Sequence, residues 1–231
     1  MSIRESTVEQ QQQNGTEIAI PRRAATVMLV RDEPLEVLMV KRNAREPFAS
    51  ALVFPGGVVE PEDYSESWLA HLDGNASFSL EERALRIAAC REAWEEAAML
   101  PGGRGATLSR DASNGQPFLA TVIRHGVRLA LDDLVKFAHW ITPEMLPKRF
   151  DTHFFICRAS AAATGQCDGH ETVALEWVQP AEALSMAERG ERALLLPTRE
   201  NLKLLAQSAN TEAALNAARG RNIVPFTPRG P

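Results

Sequence analysis

The feature that most constrains this chain is the run Arg91-Glu92-Ala93-Trp94-Glu95-Glu96, set inside a stretch that reads as one long helix. Residues 81–100 are rich in Ala, Leu, Glu and Arg, all good helix formers. Ser79 stands where an N-cap belongs, with Glu82 three residues on as its reciprocal partner. Pro101-Gly102-Gly103 ends the helix. A helix turns about 100° per residue, so Glu95 falls about 60° to one side of Glu92 and Glu96 about 40° to the other. All three carboxylates therefore share one face. Like charges spaced i,i+4 repel, so stability alone does not gather them there.

A hard cation makes the cluster sensible. Mg²⁺ (or Mn²⁺) takes oxygen ligands, keeps several waters, and is held by one or two carboxylates together with substrate phosphate. Such an ion polarises phosphoryl oxygens. Upstream lies Ala51-Leu52-Val53-Phe54-Pro55-Gly56-Gly57, where two glycines let the backbone pass close to a metal or phosphate. Arg91 can pair with Glu95 at i,i+4 or orient a neighbouring carboxylate. The competing reading is a solvated charged face.

The rest of the chain reads as alternating strands and helices. Residues 1–20, with the Gln run 10–13, read as a disordered arm. Strands are expected at 24–30 and 35–40, joined as a hairpin by the turn at 32–34, and at 134–141, 152–158 and 172–178. A helix is expected across 116–133, with others at 180–188, 198–208 and 211–219. The tail 220–231 is Gly/Pro-rich and reads as loose. Residues 21–208 would form one domain and 209–231 a C-terminal helix and tail. The fold class is α/β (α+β), a three-layer α/β/α arrangement.

The Arg91–Glu96 run resembles the Nudix box of the Nudix hydrolases. That signature is Gly, five residues, Glu, seven residues, then Arg-Glu-apolar-x-Glu-Glu-x-Gly-apolar. Gly57 takes the place of the first Gly, and Asp63 stands where the family has Glu. Seven residues, Ala84 to Cys90, precede Arg91. Residues 64–83 are an insertion of 20 residues inside the box, and Ala98 replaces the family's second Gly. A subfamily similar to the peroxisomal acyl-CoA diphosphatases carries a long insertion at this point. It also has sequences like Ala84-Leu85-Arg86-Ile87-Ala88-Ala89, Trp140-Ile141-Thr142-Pro143, Arg149-Phe150-Asp151-Thr152-His153-Phe154-Phe155 and Leu196-Pro197-Thr198. The coenzyme-A signature upstream of the box is only partly matched, in Leu38-Met39-Val40-Lys41-Arg42 through Gly57.

The resemblance implies the Nudix α/β/α sandwich with a mixed central sheet. It implies Glu92, Glu95 and Glu96 as ligands of Mg²⁺ or Mn²⁺, with the Gly56 carbonyl. Glu95, Glu96 and Arg91 are the catalytic candidates, and Asp168 or Glu171 are alternative bases. Arg42, Gly57 and Arg149 are candidates for substrate phosphate, because a guanidinium fork suits phosphate oxygens. The alternative for Arg149 is a structural ion pair with Asp151. The implied reaction cleaves the diphosphate of coenzyme A or an acyl-CoA, giving adenosine 3′,5′-bisphosphate and a 4′-phosphopantetheine. Other substrates in view are ADP-ribose, a dinucleoside polyphosphate and an oxidised nucleoside triphosphate. A reading of another class is a non-catalytic nucleotide sensor, which would have no use for the full carboxylate set.

Composition excludes several partners. With 231 residues, 45% of them hydrophobic and a net charge of −5, the chain suits a buried core and is ill suited to nonspecific nucleic-acid or membrane-surface binding. Three unpaired cysteines, Cys90, Cys157 and Cys167, fit a reducing cytosol, and no signal peptide or spanning segment is visible. The expected partner is a small nucleotide diphosphate, the expected location cytoplasmic, and a homodimer is left open. Trp94 and Cys90 read as core residues. Phe154 and Phe155 are adjacent in a strand and must face opposite sides. The five histidines show no paired spacing, and none reads as a zinc ligand.

Overall fold

The computed structural model describes residues 18–42, 51–74, 77–104, 108, 116–159, 165–167 and 172–229. Strands β1 (Arg22–Arg31) and β2 (Glu36–Arg42) form the expected antiparallel hairpin, with Val30 opposite Val37. Two short strands follow, β3 (Leu52–Val53) against β2 and β4 (Gly56–Val58) against β1.

The insertion is built into the fold. It continues a 3₁₀ turn at Pro61–Tyr64 into a second at Glu66–His71, then forms β5 (Leu72–Asp73) and the first turn of α1 (Leu80–Ala97). Trp68 is fully buried, its indole N–H donating to the Glu62 carbonyl and its ring 5.4 Å from that of Phe118. A small sheet joins β5, β6 (Gly103–Arg104) and β7 (Arg128–Ala130).

The helix expected across 116–133 is shorter. The structure has α2 (Phe118–Arg124), then a turn through Gly126 at positive φ, then β7 and a 3₁₀ turn at Leu131–Asp133. The apolar residues of that stretch cannot be told from a helix face by periodicity alone. Val127, Leu129 and Leu131 are all buried, in the core cluster that also holds residues of α1 and α2.

The remaining elements are β8 (Val135–Ile141), β9 (Phe150–Arg158), β10 (Thr172–Val178), α3 (Pro180–Glu188), α4 (Leu196–Leu205) and α5 (Thr211–Arg219). The main sheet runs β10-β2-β1-β9-β8. β1 and β9 are parallel and their neighbours antiparallel, so the sheet is mixed. Side-chain alternation divides it into two faces. Val27, Leu29, Phe155 and Cys157 meet Ile87, Ala88, Cys90 and Trp94 of α1 on one face. Met28, Val30, Phe154 and Ile156 meet Ala183, Leu202, Leu205 and Leu215 of α3, α4 and α5 on the other. This is the α/β/α sandwich, and Phe154 and Phe155 take opposite faces.

The C-terminal tail departs from the loose segment expected of it. It lies along the edge strand, with Phe226 N–H donating to His139 O and Ile141 N–H to Phe226 O, both at 2.9 Å. An edge strand offers unpaired backbone groups, and these two bonds satisfy part of that edge. Among the described residues no helix is long and apolar enough to cross a membrane.

Candidate active site

The site is assembled where the last turns of α1 pass over β4. Ser79 caps the helix start by accepting from Glu82 N–H at 3.2 Å. Its end is a left-handed residue, Ala98 at φ 52° and ψ 30°, where the family signature has Gly. Ala98 N–H returns to Trp94 O and Met99 N–H to Ala93 O, which closes the last carbonyls. Gln166 N–H takes Ala97 O at 2.7 Å and the Thr172 hydroxyl takes Glu96 O at 2.9 Å. The carboxylate-bearing turn is therefore tied at its end to β10 and to the segment before it.

Arg91 organises the acids. It is 4% exposed, and Nε and Nη2 grip Asp63, 1% exposed, through two 3.1 Å bonds. Nη2 also donates to Val58 O at 2.9 Å, and Nη1 reaches Glu92 at 2.8 Å and Glu95 at 3.0 Å. Asp63 is short for its place in the signature, yet it reaches Arg91 because the 3₁₀ turn carries it inward. Its other contact, from Glu60 N–H at 2.8 Å, fixes that turn. The guanidinium fork thus aligns a buried carboxylate, a strand carbonyl and two helix carboxylates.

The glycines have separate duties. Gly56 N–H donates to Glu96 Oε2 at 3.1 Å. A Cβ on Gly57 would lie 2.4 Å from Glu92 Oε1, so only glycine leaves the Glu92 carboxylate its place over the strand. The register Ala25–Gly57 and Thr26–Gly56 holds both glycines under the helix.

The electrostatics call for a cation. Asp63, Glu92 and Glu95 gather on the Arg91 guanidinium, with Glu96 beside them on the same helix. Burial pushes the Asp63, Glu92 and Glu95 carboxyls up, Glu92 to about 7. Burial alone would lower Arg91, but its bonds to Asp63 and the charge of Glu92 outweigh it and raise its pKa. A buried carboxylate is costly to ionise unless a positive charge stands beside it. A divalent ion suits an oxygen-only donor set of this kind. Among the described residues no three of these acids draw their oxygens within 4.8 Å of one another. That spread suits an ion completed by water and phosphate oxygens.

The other sequence candidates fall elsewhere. Arg149 is buried, with Nε donating to Thr142 O at 3.0 Å and Nη1 to Ala19 O at 2.8 Å, the bonding of a structural arginine. It does not pair with Asp151, which pairs with His139 instead. The strand register sets Arg42 opposite Thr172, near the end of α1. Asp168 and Glu171 lie outside the described residues. Trp94 and Cys90 are core residues, and burial raises the Cys90 thiol well above its ordinary value. Thr172 and Val58 were invisible as site residues. One acts through a hydroxyl on a helix carbonyl and the other through its backbone, and neither contact leaves a trace in spacing.

Comparison with known proteins agrees with this geometry. The NUDIX domain family matches residues 21–197. A putative nudix hydrolase 7 of Caenorhabditis elegans is 28% identical over 194 residues, covering 80% of this chain and 61% of that protein. An acyl-coenzyme A diphosphatase NUDT19 of Gallus gallus is 28% identical over 235 residues, covering 71% of this chain and 62% of its own length. The chain thus spans about three-fifths of the length of these curated relatives. The crystal structure of a NUDIX hydrolase from Alicyclobacillus acidocaldarius superimposes with a TM-score of 0.76 at 27% identity, covering 86% of this chain and 97% of that one. With the matched domain spanning most of its length and the Arg91–Glu96 helix seated on Gly56-Gly57, this chain belongs to the NUDIX family.

Proposed function

We propose that the protein is a Mg²⁺- or Mn²⁺-dependent diphosphohydrolase that cleaves the diphosphate of coenzyme A or an acyl-CoA. The observation that carries the reaction class is the oxygen-only cluster of Glu92 and Glu95, held by Arg91, and Glu96, held by Gly56 N–H, over two glycines. Similarity to proteins named acyl-coenzyme A diphosphatases supports the substrate class.

In the proposed reaction a water oxygen bonds to one phosphorus and the bridging P–O bond breaks. The products are adenosine 3′,5′-bisphosphate and an (acyl-)4′-phosphopantetheine. A divalent cation bound at the carboxylates supplies charge neutralisation on the diphosphate oxygens. Asp63 holds Arg91, and Arg91 holds Glu92 and Glu95 in register with the Gly57 backbone. Gly56 N–H holds Glu96. We assign Glu95, the half-exposed member of the cluster, to accept the proton of the attacking water. Catalysis rests on positioning and electrostatic preorganisation.

The test is a substrate panel in Mg²⁺ or Mn²⁺ with products separated by mass. It includes coenzyme A, acyl-CoAs, ADP-ribose, NADH, diadenosine polyphosphates and oxidised dGTP, with Glu96→Gln as control. Release of adenosine 3′,5′-bisphosphate that Glu96→Gln abolishes supports the proposal. Turnover of another substrate alone removes the coenzyme A assignment. Tight nucleotide binding with no turnover points to a sensor.

A further inference from the structure

A second cluster of ligand-type side chains stands apart from the helix carboxylates. Among the described residues, His139, Asp151 and His153 bring one ligand atom each to within 4.8 Å of one another. His139 Nε2 bonds Asp151 Oδ1, and His153 Nε2 lies 3.6 Å from the same oxygen. The two imidazoles stack with centroids 3.9 Å apart.

A backbone irregularity creates this meeting. The β8–β9 register runs Val135–Ile156 and Lys136–Phe155, then resumes at Ala138–Phe154 and His139–His153. Regular alternation would send His139 to the same face as Val135 and Phe137, which pack with α3–α5. The bulge at 136–138 turns His139 to the opposite face, beside His153 and Asp151. Bulges re-aim side chains in this way, and they cluster at functional sites.

From this geometry we infer that His139, Asp151 and His153 form a binding site for a zinc-type transition-metal ion, separate from the carboxylate cluster of α1. Two imidazoles and one carboxylate are a common three-ligand set for Zn²⁺, with the fourth position left to water. Nitrogen donors favour Zn²⁺, Co²⁺ or Ni²⁺ over Mg²⁺. Side-chain exposures of 14%, 23% and 23% leave a path for entry. Of the nearby cations, Arg23 pairs with Glu81 and Lys136 with Glu82, which Arg86 shares. With a metal on Nε2, the ring proton of each histidine resides on Nδ1. Bound metal would clamp β8 to β9, and with them the tail that pairs at His139.

The experiment is a Co²⁺ absorbance titration and a Zn²⁺ calorimetric titration of the full chain in saturating Mg²⁺. One equivalent is expected, with ligand-field bands of a nitrogen-containing site and a rise in Tm that chelator reverses. His153→Ala and Asp151→Asn should each weaken binding by about 100-fold, since even lost outer-shell partners cost 10–100-fold. His139→Gln, which keeps a polar side chain between the strands, should do the same with its metal-free Tm retained. Glu92→Gln should leave Zn²⁺ binding intact. Wild-type titrations that match those of the His139→Ala/His153→Ala double variant would overturn the proposal. So would Zn²⁺ binding that is lost in Glu92→Gln and kept in His153→Ala. Neither result touches the hydrolase proposal, which depends on the α1 carboxylates.

Discussion

Replacing Gly57 with alanine should damage metal binding while sparing the fold. Gly57 is not in the left-handed region, so alanine meets no backbone strain there and should add about 0.4–1 kcal/mol by narrowing the unfolded ensemble. Its Cβ, however, would sit 2.4–2.6 Å from the Glu92 carboxyl atoms, where ordinary contact begins at 3.4 Å. The obstacle is the end of a flexible side chain, so Glu92 yields by roughly 1 Å and the strand stays put. A ligand shifted that far costs on the order of 10–100-fold in metal affinity, about 1.4–2.7 kcal/mol. Gly56→Ala is the contrasting variant. Its Cβ would meet Ala25 O at 2.6 Å and Thr26 Cα at 2.7 Å, both backbone of β1. Relief there requires β4 to part from β1, at about 1–3 kcal/mol of stability. Free Mn²⁺ counted by electron paramagnetic resonance gives the affinity without any substrate, and urea unfolding gives the stability. Wild-type Mn²⁺ affinity in Gly57→Ala, with the fold intact, would refute the assignment of Glu92 as a ligand in this position.

Three further outcomes follow from the same contacts. Asp63→Asn leaves the buried Arg91 without its bidentate partner and should cost about 3 kcal/mol in urea unfolding, the low end for a broken buried pair because Val58 O, Glu92 and Glu95 still engage the guanidinium; a change under about 1 kcal/mol would contradict the role given to Asp63. Because burial lifts Glu92 from 4.5 to about 7, the metal-free native state binds more protons than the unfolded chain between those values, so this group's contribution to stability falls as pH rises through that window. Mg²⁺ binding should accordingly release about 0.9 proton at pH 6 and about 0.1 at pH 8, read by calorimetry in buffers of different ionisation enthalpy; equal release at both would show that Glu92 is already ionised. Trp68→Ala should cost about 3–5 kcal/mol, since the insertion's tryptophan is fully buried against Phe118; a thermal midpoint unchanged from wild type would mean that the insertion is not part of the core.

Local patterns determined much of this molecule in advance. The spacing of Glu92, Glu95 and Glu96 on a capped helix, the paired glycines before it, the hairpin at β1 and β2, and the spans of β10, α3 and α5 are all set by period, caps and turn residues that act within a few positions. The reading failed where a short apolar stretch has no distinctive period. Residues 118–133 split into a helix, a strand and a 3₁₀ turn, and buried apolar residues of all three enter the same core cluster. Other features were decided only by tertiary contact. Asp63 reaches Arg91 across 28 residues of sequence, Arg149 is taken by the carbonyls of Thr142 and the distant Ala19, and the tail is held by the open edge of β8. His139 and His153 show no paired spacing in the chain. They meet because a bulge shifts the side-chain parity of β8 against β9, and parity between strands is a property of their register, which no single segment encodes.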